Sequence, residues 1–157
     1  MNSPDSNTPN RINCRAFNLV LQLLLKSDTP CISVQEAANR FDDFIFLDAR
    51  EMIEYKISHL QHARYLGVNA FSTEMIQDLD KNDAIIIYCS VGKRSEDLTI
   101  TLKKLGYTNV YNLYGGIFEW INQGYPVFDE NNEATQKIHP YGHLWGKWLD
   151  KGVKAFH

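Results

Sequence analysis

Ala84-Ile85-Ile86-Ile87-Tyr88-Cys89-Ser90-Val91-Gly92-Lys93-Arg94-Ser95 decides the reading of this chain. Four residues of buried-strand character, Ile85 to Tyr88, run straight into a cysteine. A short loop with one glycine and two cations follows, and a helical pattern starts at about Ser95. A strand that ends in Cys-x-x-Gly-x-Arg-Ser and opens into a helix is suited to making and holding a thiolate. The loop amides would point inward, the helix N-terminus adds about half a positive charge, and Lys93 and Arg94 add full ones. Each favours the anion over the thiol, and the same cradle suits a small oxyanion. Cys89 is therefore read as a nucleophile. The blander reading is a small buried residue, as free cysteines often are. The glycine and the two cations directly behind Cys89 argue against it.

Outward from this stretch, strand and helix patterns alternate. Upstream, the short apolar run 44–47 has the character of a buried parallel strand. Asp48 ends it, at the sheet edge where ligands of open α/β folds bind. Ile32-Ser33 predicts a short edge strand, and Ser33 an N-cap for a helix over 34–40, with Glu36 completing a capping box. A helix is expected over 51–57, a brief strand over 63–66, and a helix with mixed faces over 69–79. Downstream, the helix that begins near Ser95 stops at Gly106. A strand at 110–113 follows, then a helix opening at Gly115-Gly116. This alternation predicts an α/β fold with a parallel sheet covered on both faces.

Cys89-Ser90-Val91-Gly92-Lys93-Arg94-Ser95 resembles the active-site loop of the rhodanese (sulfurtransferase) family. Two further stretches match. Phe46-Leu47-Asp48-Ala49-Arg50-Glu51, then Glu54-Tyr55 and Ser58-His59-Leu60-Gln61-His62-Ala63, resembles the family's first signature. Leu105-Gly106-Tyr107-Thr108-Asn109-Val110 through Leu113-Tyr114-Gly115-Gly116-Ile117-Phe118-Glu119-Trp120 resembles its last. The resemblance covers about 33–126, with Ser58 and His62 standing where glycines are usual.

The resemblance implies a three-layer fold around a mostly parallel five-stranded sheet. It implies a Cys89 persulfide, loaded from a donor such as thiosulfate and discharged to a thiol or cyanide in ping-pong fashion. Donor binding would fall to Ser90, Val91, Gly92, Lys93, Arg94 and Ser95, with Asp48 and Arg50 bracing the loop. Arg94 is the stronger anion ligand of the two cations, because a guanidinium can fork onto two oxygens. Ser95 is expected to cap the helix in preference to touching substrate. Arg50 is expected in a structural salt bridge, with Glu51 or Glu54 as possible partners, and His59 as a satisfied structural histidine. No cofactor and no metal are implied.

At 157 residues the chain fits one domain with a sizeable core. A hydrophobic share of 44% with 22% charged residues is that of a soluble globular protein. A net charge of −3 argues against a general nucleic-acid binder. Three cysteines make no disulfide framework, and a reactive thiol suits a reducing compartment. The apolar run 16–25 follows Arg11 and Arg15 but lacks a cleavage site and is too short to span a membrane. Phe17, Val20, Leu21, Leu24 and Leu25 form one helical stripe, so a core-packed helix at about 13–26 is expected. A cytoplasmic protein with no membrane partner follows.

The expected organisation is a disordered tail at 1–10, the rhodanese-like domain at 11–128, and an aromatic and histidine-rich extension at 129–157 packed on it. His139 and His143 are four apart, but no further ligands accompany them, and Gly142 weakens a helix there. Aromatic packing or a lid over the Cys89 loop is the better reading of these two histidines, in a segment that also holds Tyr141, Trp145, Trp148, Phe156 and His157. Cys14 and Cys31 are read as core or surface thiols.

Two rival functions remain. A phosphatase or arsenate reductase would resemble Cys-x₅-Arg, whereas four residues separate Cys89 from Arg94. A non-catalytic partner-binding module often lacks the cysteine that this chain keeps. The expected partners are a small sulfur-containing anion as donor and a thiol, thioredoxin-like or carrier protein as acceptor. The oligomeric state is left open.

Overall fold

The computed structural model describes residues 15–26, 28–69 and 71–157, with 143 and 144 in backbone only. Five parallel strands form the central sheet: β1 (Cys31–Ile32), β2 (Ile45–Asp48), β3 (Arg64–Tyr65), β4 (Ile85–Tyr88) and β5 (Val110–Leu113). Their order is β1-β5-β4-β2-β3, so the strand that carries Cys89 is central. The register sets Asp48 beside Tyr88, which places the ends of β2 and β4 at one level.

Alternation along β4 explains the two cores. Ile86 and Tyr88 join Phe46, Leu113 and Phe118 on one face; Ile85 and Ile87 join Leu47, Leu98, Leu102 and Val110 on the other. The helices α1 (Arg15–Leu24), α2 (Val34–Asn39) and α5 (Gly116–Asn122) supply the first face, through Phe17, Leu21, Val34, Ala37 and Ile117 among others. Leu98 and Leu102 of α4 (Lys93–Lys104) supply the second. The short helix α3 (Met52–Ile57) follows β2. Ser33 caps α2 as expected, its hydroxyl accepting the Glu36 amide at 3.1 Å.

Two expectations change. Among the described residues of the segment 69–79, the helical part is a 3₁₀ turn, Thr73–Ile76. The segment buries Ile76 and Leu79, and Phe71 and Met75 pack beside them, so these apolar side chains reach the second core without a longer helix. Helix α4 begins at Lys93, two residues before Ser95. The expected tail at 1–10, the start of the first helix and Cys14 lie outside the described residues.

Beyond α5 come a hairpin, β6 (Val127–Phe128) with β7 (Ala134–Thr135), then β8 (Lys137–Ile138), α6 (His143–Gly146) and β9 (Val153–Lys154), which pairs in parallel with β8. Ile138 and Leu149 are buried in the first core, and Trp148 stacks on Phe17 with ring centroids 5.3 Å apart. Among the described residues no helix is long and apolar enough to cross a membrane.

Candidate active site

Strand β4 runs straight into Cys89, whose side chain is the focus of three contacts. Its sulfur accepts the Gly92 N–H at 3.1 Å and the Ser95 N–H at 3.4 Å, and lies 3.3 Å from the Ser95 hydroxyl. Gly92 reaches this geometry at φ +118°, where a side chain would be strained. The loop carbonyls are turned the other way. Those of Cys89 and Ser90 accept the Ile117 and Phe118 amides at 2.9 and 3.1 Å, at the start of α5. Gly116 permits that approach, since a Cβ there would lie 2.5 Å from both carbonyl oxygens. The second glycine of the Gly115-Gly116 pair thus shapes the cysteine loop from outside.

The two loop cations are already partnered. Arg94 forks onto Glu54 at 2.7 and 2.9 Å, and also donates to the Ser90 hydroxyl at 2.7 Å. Ser90 in turn donates to Glu54 at 3.1 Å. Expected to face a donor anion, the fork instead grips a carboxylate delivered by α3. Burial pushes Glu54 up, but the hydrogen bonds and charge of Arg94, with Arg50 behind, outweigh it and hold the carboxyl below its ordinary value. Lys93 contacts Glu96 at 3.3 Å while its side chain stays 41% exposed.

Asp48 and Arg50 stand one step back. Their ion pair, 2.7 Å long, is completely buried, and Arg50 also donates to the Ser58 carbonyl. Asp48 accepts the Tyr88 hydroxyl at 2.6 Å, next to Cys89 in the chain. Bracing therefore runs through Tyr88 rather than through direct bonds to the loop. Burial and then the Asp48 charge push the Tyr88 phenol well up, so it remains a donor. Arg50 pairs with Asp48, not with Glu51 or Glu54. His59 is a structural residue: its Nδ1 meets the Tyr55 carbonyl at 2.9 Å and its ring stacks on Tyr55.

Ser95 departs from its expected role. Gly92, not Ser95, precedes the first helical residue, and the Ser95 hydroxyl oxygen lies beside the sulfur. Its proton is donated to Asn112 Oδ1 at 2.6 Å. Asn112, buried on β5, fixes the loop again by donating to the Gly92 carbonyl at 2.8 Å. The sequence reading missed Asn112, although an amide in the buried run 110–113 was a signal.

At the outer side, the Tyr141 ring lies 4.1 Å from the Arg94 guanidinium. The Tyr141 amide donates to His139 Nδ1 at 2.9 Å, and His139 is held below its ordinary value chiefly by burial. Cys31, on the edge strand, is pushed up to about 11 by burial and then by Glu96. Among the described residues no group of three acidic, histidine or cysteine side chains could hold a metal ion.

Comparison with known proteins gives the family and the fold. The rhodanese-like domain family matches residues 33–123, more than half of the chain. An Erwinia tasmaniensis protein named tRNA uridine(34) hydroxylase is 32% identical over 130 residues, 71% of this chain and 37% of its own length. A Buchnera aphidicola protein of the same name is 37% identical over 82 residues, 49% of this chain and 26% of that protein. The chain thus spans only 26–37% of the length of these relatives. Among solved structures, a rhodanese-related protein from Thermoplasma volcanium superposes with a TM-score of 0.59 at 26% identity, covering 64% of this chain and 99% of that one. A thiosulfate sulfurtransferase from Pseudomonas aeruginosa shares the fold, with a TM-score of 0.59 at 22% identity over 64% of this chain and 20% of that one. The chain belongs to the rhodanese-like domain family.

Proposed function

We propose that the protein is a sulfurtransferase in which Cys89 takes up a sulfane sulfur, carries it as a persulfide and hands it to an acceptor. One observation carries this reading: two backbone amides, of Gly92 and Ser95, converge on the Cys89 sulfur. Fixed N–H donors of this kind stabilise negative charge without reorganising during reaction. In the first step the Cys89 thiolate attacks the outer sulfur of a donor such as thiosulfate. A new S–S bond forms, the old one breaks, and sulfite leaves with the electron pair. In the second step an acceptor thiolate or cyanide attacks the outer persulfide sulfur, and Cys89 departs as thiolate. Each step is a two-electron displacement, so no redox cofactor takes part.

Roles follow from the contacts. Ser90, Val91, Gly92 and Ser95 line or shape the cradle, and Lys93 offers a positive charge where a donor anion would arrive. Arg94, spent on Glu54, holds the loop and adds field. Asp48 and Arg50 support it through Tyr88. A persulfide carrier works where thiols persist, which favours the cytoplasm.

The relatives favour a second reading, in which Cys89 serves the modification of a tRNA uridine and the partner is RNA. It would replace the expectation of no nucleic-acid partner. It ranks second because the net charge of −3 gives this chain little of its own with which to bind phosphates. Intact mass after thiosulfate treatment tests the first reading. A gain of one sulfur, removed by cyanide and absent in Cys89→Ser, supports it. No uptake from thiosulfate, mercaptopyruvate or a persulfide donor overturns it. Retention of labelled tRNA in a low-salt gel shift, lost on adding salt, would then favour the second.

A further inference from the structure

Three buried groups in a row set the hydrogen-bond polarity at the reactive sulfur. The Gly92 carbonyl can only accept, so the atom of Asn112 facing it at 2.8 Å must be Nδ2. That fixes Oδ1 on the other side, 2.6 Å from the Ser95 hydroxyl. An amide oxygen can only accept, so the proton in this contact is Ser95's own. Ser95 has one hydroxyl proton, and the same oxygen lies 3.3 Å from Cys89 Sγ. While Asn112 holds that proton, Ser95 presents a lone pair to the sulfur. A thiol completes the arrangement by donating S–H to Ser95; a thiolate would face a lone pair.

We infer that Asn112 is a positioning residue that, through Ser95, holds Cys89 as a thiol at rest, and that rotation of the Ser95 hydroxyl from Asn112 to Cys89 stabilises the attacking thiolate. This rests on the reading of Cys89 as nucleophile. In the resting state the row runs Cys89 S–H to Ser95 Oγ, and Ser95 O–H to Asn112 Oδ1. On activation the cysteine proton passes to solvent and Ser95 turns its O–H to the sulfur. Asn112 Oδ1 is then left without a donor. Asn112, Ser95 and Cys89 are all at most 1% exposed, so water does not readily replace the lost partner. The two backbone donors, from Gly92 and Ser95, serve both states alike. Once the persulfide has formed, the inner sulfur bears neither proton nor charge, and the hydroxyl is free to return to Asn112.

The other groups around the sulfur stay put. Arg94, whose charge interacts with Cys89, is anchored on Glu54, and Lys93 on Glu96. Tyr141 covers Arg94 from outside. None of them touches Asn112, so changing the amide leaves the charges facing Cys89 as they are.

The test is the rate at which iodoacetamide alkylates Cys89 near neutral pH. It is followed by peptide mass spectrometry, with Cys31 as the slow internal reference and the thiolate's ultraviolet absorbance as a second readout. Asn112→Ala should raise the rate about tenfold, the factor expected when a buried acceptor no longer competes for the proton. Ser95→Ala should lower it by a similar factor, and Ser95→Thr, which keeps the hydroxyl, should restore it. The double variant should lose the increase seen in Asn112→Ala, because the shared proton runs through Ser95, while the Asn112 bond to the Gly92 carbonyl is lost alike with and without Ser95. If Asn112→Ala fails to fold, Asn112→Ser, too short to reach Ser95, makes the same prediction. An unchanged or slower rate in the folded Asn112 variant overturns the inference. So does an increase that survives in the double variant. If the native chain shows neither alkylation of Cys89 nor sulfur uptake, the nucleophile reading itself falls.

Discussion

Two carboxylate–guanidinium pairs flank Cys89, and they do different work. Asp48–Arg50 is wholly dry and ties β2, the 58–60 turn and Tyr88 together. Glu54–Arg94 is buried on the carboxylate side, while the Arg94 side chain keeps 15% of its surface and holds Ser90 of the cysteine loop. Both pairs have similar geometry. What separates them is what else each binds: the first grips the frame, the second grips the loop. Removing one partner of a fully buried pair strands a charge. Removing the loop-side partner mainly frees moving parts near the sulfur.

The comparison can be broken by substitution. Arg50→Ala should cost the most stability, about 3–5 kcal/mol, because Asp48 is left charged in a dry site. Urea unfolding checks it, and a loss below about 1 kcal/mol would remove the frame role. Next comes Gly116→Ala. Its Cβ would strike the Cys89 and Ser90 carbonyls, and φ is +61°. Relief requires the loop to move, so sulfur uptake should fall by at least about tenfold, from misplacement alone. Uptake at the native rate would show that the α5 end does not set the loop.

Glu54→Gln should act on the loop with a pH signature. The folded-state Glu54 carboxyl titrates below its unfolded value, so its ionisation contributes stability that is fully present above the unfolded value. That contribution is lost as pH falls through the folded one. The window lies below about pH 4.3, the ordinary glutamate value. In this range the native chain should lose stability more steeply than Glu54→Gln, and near pH 7 the variant should be weaker both in stability and in sulfur uptake. Parallel acid limbs in urea titrations would remove Glu54 from this role.

What the sequence showed and what it hid divides along the same line. Strand β4, its cysteine and the α/β layering were legible because an apolar run and a Gly-bearing turn are local signals. His62, at a position where glycine is usual, adopts φ +62°, whereas Ser58 is extended and needs no glycine. Partners 17 to 40 residues away were not legible. Asn112 meets Ser95, and Glu54 meets Arg94, only because the sheet order brings β5 and α3 to the loop. Ser95 was misplaced for a local reason. With Gly92 as the residue before α4, Ser95 falls three positions past the cap, inside the first helical turn, and its hydroxyl sits beside the sulfur. Where a longer helix was expected over 69–79 a 3₁₀ turn stands at Thr73–Ile76, although Phe71, Met75, Ile76 and Leu79 still pack on the core: local apolar spacing did not decide the element.

The smallest expected effect lies on the outer face of the loop-side pair. Tyr141 covers Arg94 from a segment beyond the family-matched residues, and is itself 46% exposed. A cation–π contact at such a site contributes about 0.5–1 kcal/mol. Tyr141→Ala should therefore cost no more than that in urea unfolding, and Tyr141→Phe nothing, since the ring remains. If Glu54 alone positions the guanidinium, sulfur uptake in Tyr141→Ala should keep its maximal rate and change only in the concentration of donor required. A large fall in maximal rate would mean that the ring, not the carboxylate, holds Arg94 in place. The second pair would then belong as much to the C-terminal segment as to α3, and the contrast with the dry Asp48–Arg50 pair would rest on an aromatic lid.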